Sequence, residues 1–337
     1  RRDNSQTGHS CPLSCRDCLW QFSYVVPALV GTAALILSWP NDSTFVRALW
    51  AIPICYSYFC WTSCFHECAH RTLFPKESTN IALGRFLGCA MMTPLSVYRE
   101  CHFRHHAYLN RPDDWELWPY SAPDASLWFR RVFVWFDLIA GVATAPFIYG
   151  RIFFSRDSPV DSPTVRQTIK REYLAASCFW GGILAAVSYA NLWMIFVWAW
   201  LIPYWTAGIL QSGRKFTEHL GMASFDPLLG TRTVAGEGWI TRLCTFLNFD
   251  IFVHGPHHRY PRAPHNRLRG ILEREARLAG EPSIPVFANY AQAVRDMLPW
   301  MFLNPGVGRN VQRDQSPLRP RHLPQTPLKV GLSDVVD

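Results

Sequence analysis

Charge is scarce in this chain, and it is scarcest in long blocks. Asp, Glu, Lys and Arg make up 17% of the 337 residues and are absent from Tyr173 to Gly213, a run of 41 residues. That run excludes a soluble α-protein whose helices are merely buried, because such helices keep one solvated face. No internal repeat is evident. Nor do the 11 cysteines outline a disulfide framework, since Cys55, Cys60, Cys64, Cys68, Cys89, Cys101, Cys178 and Cys244 fall mostly in apolar segments. The formal net charge of +8 suits nucleic acid, an anionic membrane surface or an acidic partner, and composition does not choose among them. Topology does.

Two shorter uncharged runs precede the long one. Trp20 to Trp39 would span about 30 Å as a helix, and Ala48 to Phe65 is just long enough to cross back. Pro40, Asn41, Asp42 and Ser43 make the turn between them. The 41-residue run is about twice the hydrocarbon thickness, so it divides into two spans hinged near Tyr189, Ala190 and Asn191. The expected fold is an all-α integral membrane protein with four transmembrane helices in two hairpins. The short outer turns carry almost no Lys or Arg, whereas the segments after Phe65 and after Gly213 are rich in them. By the positive-inside rule both termini and the large polar segments are then cytoplasmic. Trp20, Trp39, Tyr173 and Trp193 at run ends fit interfacial anchors. Ile81 to Val97 contains Arg85, and Val132 to Tyr149 contains Asp137 and follows Arg130 and Arg131, so both read as interfacial helices. Three segments follow: a cytoplasmic N-terminal stretch over 1–19, a membrane domain over 20–303, and a Pro- and Arg-rich tail over 304–337.

Nine of the 12 histidines form a pattern: HECAH at His66 and His70, HFRHH at His102, His105 and His106, a single His219, and HGPHH at His254, His257 and His258. Positions i, i+3 and i+4 share one helix face, so each cluster aims its imidazoles at one point. The clusters follow the ends of spans with an even number of crossings between them, which gathers them into one cytoplasmic, histidine-rich cap. Nine neutral imidazoles suit two transition-metal ions rather than Mg²⁺ or Ca²⁺. His9, His265 and His322 stand outside the pattern and read as surface or structural residues.

Two other motifs compete. HECAH also satisfies the zinc-hydrolase pattern H-E-x-x-H, with Glu67 as general base, but an intramembrane zinc hydrolase has no use for seven more histidines. HSCPLSCRDC places His9, Cys11, Cys15 and Cys18 within reach of zinc or an iron–sulfur cluster. No barrel pattern follows it, so these thiols read as reduced cytoplasmic residues beside the bilayer, open to acylation.

The order HxxxH, HxxHH and a late HxxHH around two membrane hairpins resembles the membrane fatty-acid desaturase and hydroxylase superfamily. HHAYLNRPDDWELWP is similar to the stretch after that family's second box, and HGPHHRYPRAPHNRL to its third box with downstream prolines. The resemblance covers roughly Trp20 to Leu268. It implies a di-iron centre held by the nine histidines and O₂ as co-substrate; by the Irving–Williams order, zinc can substitute in purified protein. It implies a lipid or fatty-acyl substrate and a separate electron donor of the ferredoxin, rubredoxin or cytochrome b5 type, because no HPGG-like haem-binding motif is fused to the chain. Nucleic acid is not among the expected partners. Desaturation leads among the family's reactions, with hydroxylation, carotenoid ketolation and alkene-forming decarboxylation on the same scaffold. The carboxylates expected to hold the imidazoles are Glu67, Asp113, Asp114, Glu116 and Glu218. Two departures stand out. The third box lacks the common NYHxEHH form, leaving Asn248 as the nearest upstream Asn that could complete the coordination. Lys215 occupies the position, four before the isolated histidine, where acyl-CoA desaturases carry Asn.

This topology makes a direct prediction. A reporter fused after Asp42 labels from outside, while reporters after Pro112 and after Gly270 both label from the cytoplasm. Labelling of the last two from opposite sides would rule out a single shared centre.

Overall fold

The computed structural model describes residues 19–39, 43–278 and 284–312. The N-terminal cysteine motif, His9 and His322 lie outside them. Helix α1 (Trp20–Ser38, opening with a 3₁₀ turn over Trp20–Tyr24) packs along α2 (Thr44–His70) as a hairpin. Ser43 starts α2 by accepting the Val46 amide at 3.3 Å, and Arg71 ends it in the left-handed conformation at φ 63°. The second long pair is α7 (Pro163–Tyr189) and α8 (Trp193–His219), the latter with a π-helical turn over Val197–Leu201. Ala190 to Leu192 separates them, with Asn191 at φ 53°, so the chain breaks where the sequence places a hinge.

Two helices, α1 and α8, are long and apolar enough to cross a bilayer. Helix α2 carries Arg47 near its start and Glu67 near its end, and the first third of α7 carries Arg166, Lys170, Arg171 and Glu172, so both are less apolar over their length. The exposed surface of these helices is nevertheless greasy. Leu29, Leu37, Ile52, Leu174, Leu184 and Trp205 all face outward, and α7 buries only Ile169 and Ala176. Helices that satisfy their own backbone groups and present apolar side chains outward belong in lipid. This is a membrane protein.

The two stretches read as single interfacial helices are each broken. The first becomes α3 (Glu77–Ala90) and α4 (Leu95–Ala107), bent by 102°; the second becomes α5 (Leu127–Ile139) and α6 (Gly141–Phe154), bent by 116°. Met92 at φ 54° and Pro94 turn the first elbow. The second turns at Ala140–Gly141 because it abuts α8: a Cβ on Gly141 would sit 2.6 Å from the Gly208 carbonyl oxygen, and one on Gly208 would sit 2.6 Å from a Val142 methyl. Only glycines allow that approach.

Short elements close the structure: α9 (Trp239–Leu247), α10 (His254–Arg259), α11 (Leu268–Leu278), α12 (Tyr290–Leu303) and α13 (Arg309–Gln312). Strands β1 (Thr233–Val234) and β2 (Val286–Phe287) pair in parallel, Thr233 with Val286 and Val234 with Phe287. Asn304 to Gln312, read as the start of the tail, packs inward instead. Gly306 accepts the Gly221 amide at 2.8 Å, Gly308 donates to Met222 at 2.8 Å, and Val307 and Val311 are buried. Two apolar side chains and a set of backbone acceptors outweigh the local proline and arginine composition. Residues 313–337 lie outside the described residues.

Arg232 ties this region to the end of α8. Its Nε–H donates to Asp296 at 2.8 Å, and one terminal nitrogen donates to the Thr217 and Leu220 carbonyls at 3.1 and 2.7 Å. Arg232→Ala leaves these buried acceptors without their donor, at a cost of roughly 3 kcal/mol or more. The thermal midpoint in detergent should fall by roughly 4 °C or more, and Arg232→Lys, with its single donor point, should recover little of it.

Candidate metal centre

The nine patterned histidines arrive from four helix ends. His66 and His70 close α2, His102, His105 and His106 sit on the last two turns of α4, His219 ends α8, and His254, His257 and His258 occupy the six-residue α10. A helix this short does not hold itself together. Its entry is fixed by the Val234 amide donating to Phe252 at 2.8 Å and the Gly255 amide donating to Thr233 Oγ1 at 3.0 Å. After His219 the chain turns at once at Gly221, φ +82°, against the face of Trp300. All nine imidazoles are buried.

They divide into two neighbouring groups. His66, His70, His102, His106 and His257 bring ligand-capable atoms within 4.8 Å of one another; so do His105, His219 and His258, with His254 joined to His219 and Glu218 by the same measure. Each group has a central nitrogen. His102 Nε2 lies 3.0 Å from His70 Nε2 and 3.1 Å from His106 Nε2, while His254 Nε2 lies 2.9 Å from His219 Nε2 and 3.1 Å from His258 Nε2.

Carboxylates decide the tautomers. Asp and Glu accept hydrogen bonds when ionised, so a ring Nδ1 beside one carries the proton and its Nε2 is a bare lone pair. His102 Nδ1 is 2.7 Å from Glu116, His105 Nδ1 is 2.8 Å from Asp114, and His66 Nδ1 is 3.2 Å from Glu67. Tyr149 Oη donates to the other Glu116 oxygen at 3.1 Å, and Thr72 Oγ1 donates to Glu67 Oε2 at 2.6 Å. Burial works to raise the Glu116 carboxyl, but His102 and His105 bring it down to about 2, so it stays ionised. Burial first, and then neighbouring imidazoles, push His254, His257 and His258 well below the usual histidine range, which keeps them neutral.

This donor set fits transition-metal ions. Bare Nε2 atoms about 3 Å apart repel unless something positive lies between them, and ligands about 2.1 Å from one ion at right angles are separated by about 3 Å. His66 Nε2 and His257 Nε2 are buried without a hydrogen-bond partner among the described residues, which is costly unless a cation takes the lone pair. Imidazole-rich groups with few carboxylates favour Fe, Zn or Cu over Mg or Ca.

Not every expected residue is here. Asp113 is exposed and holds no histidine. Asn248 is fully buried, but its side chain accepts from Ser63 at 2.8 Å and donates to the Cys244 carbonyl at 3.0 Å, so both ends are committed elsewhere. Glu218 does approach, 3.5 Å from His254 Nε2 and 3.8 Å from Arg214. His265 is buried against Phe249 rather than at the surface, outside both groups. Sequence reasoning missed Tyr149, Thr72 and Tyr98, whose ring stacks on His102 at 5.0 Å. Tyr98 lies four before His102 on the same helix, so the i, i+4 rule could have found it; no such spacing links Thr72 or Tyr149 to the histidines.

A cavity of about 1200 Å³, counting its open mouth, reaches this cluster. His66, His102, His105, His219 and His254 form one end, and Trp61, Trp200, Tyr204, Val142 and Pro146 line its walls. The sequence profile of the fatty acid desaturases matches residues 43–290. The chain belongs to that family. Among its relatives are the sn-1 oleoyl-lipid 12-desaturase of Synechocystis sp., 26% identical over 227 residues, and the dihydrorhizobitoxine desaturase of Bradyrhizobium elkanii, 29% identical over 215. A third is the chloroplastic omega-6 fatty acid desaturase of Brassica napus, 24% identical over 220 residues. Each match covers 60% of this chain, and the chain spans 61%, 60% and 48% of the respective relatives.

In this desaturase-family chain, Glu116→Gln and Asp114→Asn should each weaken metal binding about 10- to 100-fold by releasing an imidazole from its orientation. Chelator competition on the full-length protein measures this. Unchanged affinity in both variants would remove the orienting role.

Proposed function

We propose that this protein is an O₂-dependent di-iron oxidoreductase of lipid alkyl chains, most simply a fatty-acyl desaturase that introduces a C=C bond. The observation that carries the reading is the meeting of two buried imidazole groups at one end of an apolar, aromatic-walled cavity. His66, His70, His102, His106 and His257 would hold one ion, and His105, His219, His254 and His258 the other. Bound iron supplies the redox chemistry with O₂ that no acid or base side chain can perform on an unactivated alkyl chain.

The chain's own residues do the rest. Glu67, Asp114 and Glu116 hold three Nδ1–H groups and keep the opposite lone pairs aimed inward. The aromatic walls exclude water and align a substrate chain with the centre. Thr72 and His66 engage both oxygens of Glu67, which opposes its use as the free base of a zinc hydrolase. Four membrane helices in two hairpins would place the cluster and both termini on the cytoplasmic side, where a separate ferredoxin, rubredoxin or cytochrome b5 type protein delivers electrons. The names of two of the three relatives, the oleoyl-lipid and the omega-6 fatty acid desaturases, support a lipid substrate for this chain.

The test is anaerobic loading with iron, then O₂ and a reductant, with mass spectrometry of the membrane lipids. A new double bond should appear only with all three present, with about two metal ions per chain whatever their identity. Activity should track iron, and zinc-filled protein should be inactive because zinc has no accessible redox change. His102→Ala and His257→Ala should abolish turnover and leave membrane insertion intact. Turnover by zinc-loaded protein without O₂ would overturn the reading.

A further inference from the structure

The cavity wall contains a charged pair that alkyl-chain chemistry does not require. Asp137 on α5 is fully buried, and Lys215 on α8 donates to it at 2.6 Å. Tyr120 Oη and Thr144 Oγ1 also donate to Asp137, at 2.9 and 2.6 Å. The carboxylate is thus fully engaged, whereas the ammonium, besides lying 5.1 and 5.9 Å from the Phe216 and Tyr120 ring centroids, meets no second oxygen acceptor among the described residues. A lysine has three N–H donors, and among the described residues Nζ has one hydrogen-bond partner, Asp137. The Lys215 side chain stays 17% exposed against 1% for Asp137, and both line the cavity. Lys215 precedes His219 by one helical turn, about 6 Å along the axis, so its open donors lie near the imidazole centre.

We propose that the Lys215–Asp137 pair is a specificity-determining anchor for a neutral oxygen acceptor on the substrate: an ester or amide carbonyl, or a hydroxyl, within a few bonds of the reacting carbon. A plain methylene chain in this cavity would leave desolvated N–H groups facing carbon, which is costly. An oxygen acceptor satisfies them. The pair carries no net charge, and Asp137 repels a second carboxylate, so a neutral acceptor is preferred to an anion. This inference rests on the proposed function for the identity of the cavity as the substrate site, but its test needs no turnover.

Titration calorimetry on the zinc-loaded, full-length protein in detergent would use decane, 1-decanol, methyl decanoate and decanoate as probes. Wild type should bind methyl decanoate and 1-decanol about 10-fold or more tighter than decane, as expected for a hydrogen bond to a charged donor. Decanoate should bind no tighter than its methyl ester. Lys215→Met should erase the preference and leave decane within about 2-fold, whereas Lys215→Arg should retain it. Equal binding of decane and methyl decanoate by wild type overturns the proposal, as does a preference that survives in Lys215→Met. Tighter binding of decanoate overturns the neutral-acceptor assignment. If Lys215→Met does not fold, the wild-type comparison and Lys215→Arg still decide. Oxygen-dependent oxidation that fails while the preference holds counts against the proposed function alone.

Discussion

Nine imidazoles confined to one dry volume must remain neutral and must point their lone pairs inward. Either demand is easy for one histidine on a surface. Together they are hard, because buried lone pairs about 3 Å apart repel one another and each ring can rotate to hide. For His254, His257 and His258 the structure meets the first demand by burial, which disfavours the charged ring. It meets the second with Glu67, Asp114 and Glu116, which take three Nδ1–H groups and are themselves held by Thr72, by the Leu117 and Glu116 amides, and by Tyr149.

That constraint explains why the surrounding fold is so unlike its helices. The long helices are ordinary greasy rods, exposing leucines and aromatics along most of their length. At one end they become polar, crowded and irregular. Left-handed residues at Arg71 and Asn110, a two-residue sheet and a six-residue helix all lie within this end. Asn110 donates to the Ser224 and Gly230 carbonyls at 2.8 and 2.9 Å, tying the loop after the second histidine cluster to the loop after His219. Such ties fix register between helix ends that the hydrophobic effect alone would leave free to slide.

The readable part of the molecule was the part with local signals. Helical spacing gathered each histidine cluster, and the uncharged 41-residue run with Tyr189, Ala190 and Asn191 near its middle marked the hinge between α7 and α8. The elbow of α5–α6 escaped because its cause is tertiary: Gly141 and Gly208 are 67 positions apart, and nothing nearby in sequence announces their contact, whereas Pro94 is a local mark of the α3–α4 elbow. Tyr149 and the Asp137–Lys215 pair were hidden for the same reason. Asn304 to Gln312 was misread because composition records prolines and arginines but not the Tyr120 and Met222 carbonyls that accept the Val307 and Gly308 amides.

The glycine contact between α6 and α8 bears on how this cavity could change over time. Gly141 and Gly208 both line the cavity, so where they meet the wall is main chain. A wall made of side chains can be enlarged or reduced by swapping one residue for another. A wall made of main chain has nothing to trim, and adding a single methyl forces two helices apart. The bore there is inherited with the fold, leaving chemical variation to the residues above and below it. New substrate preferences on this scaffold would then arise by altering polarity along the cavity sooner than by altering its width.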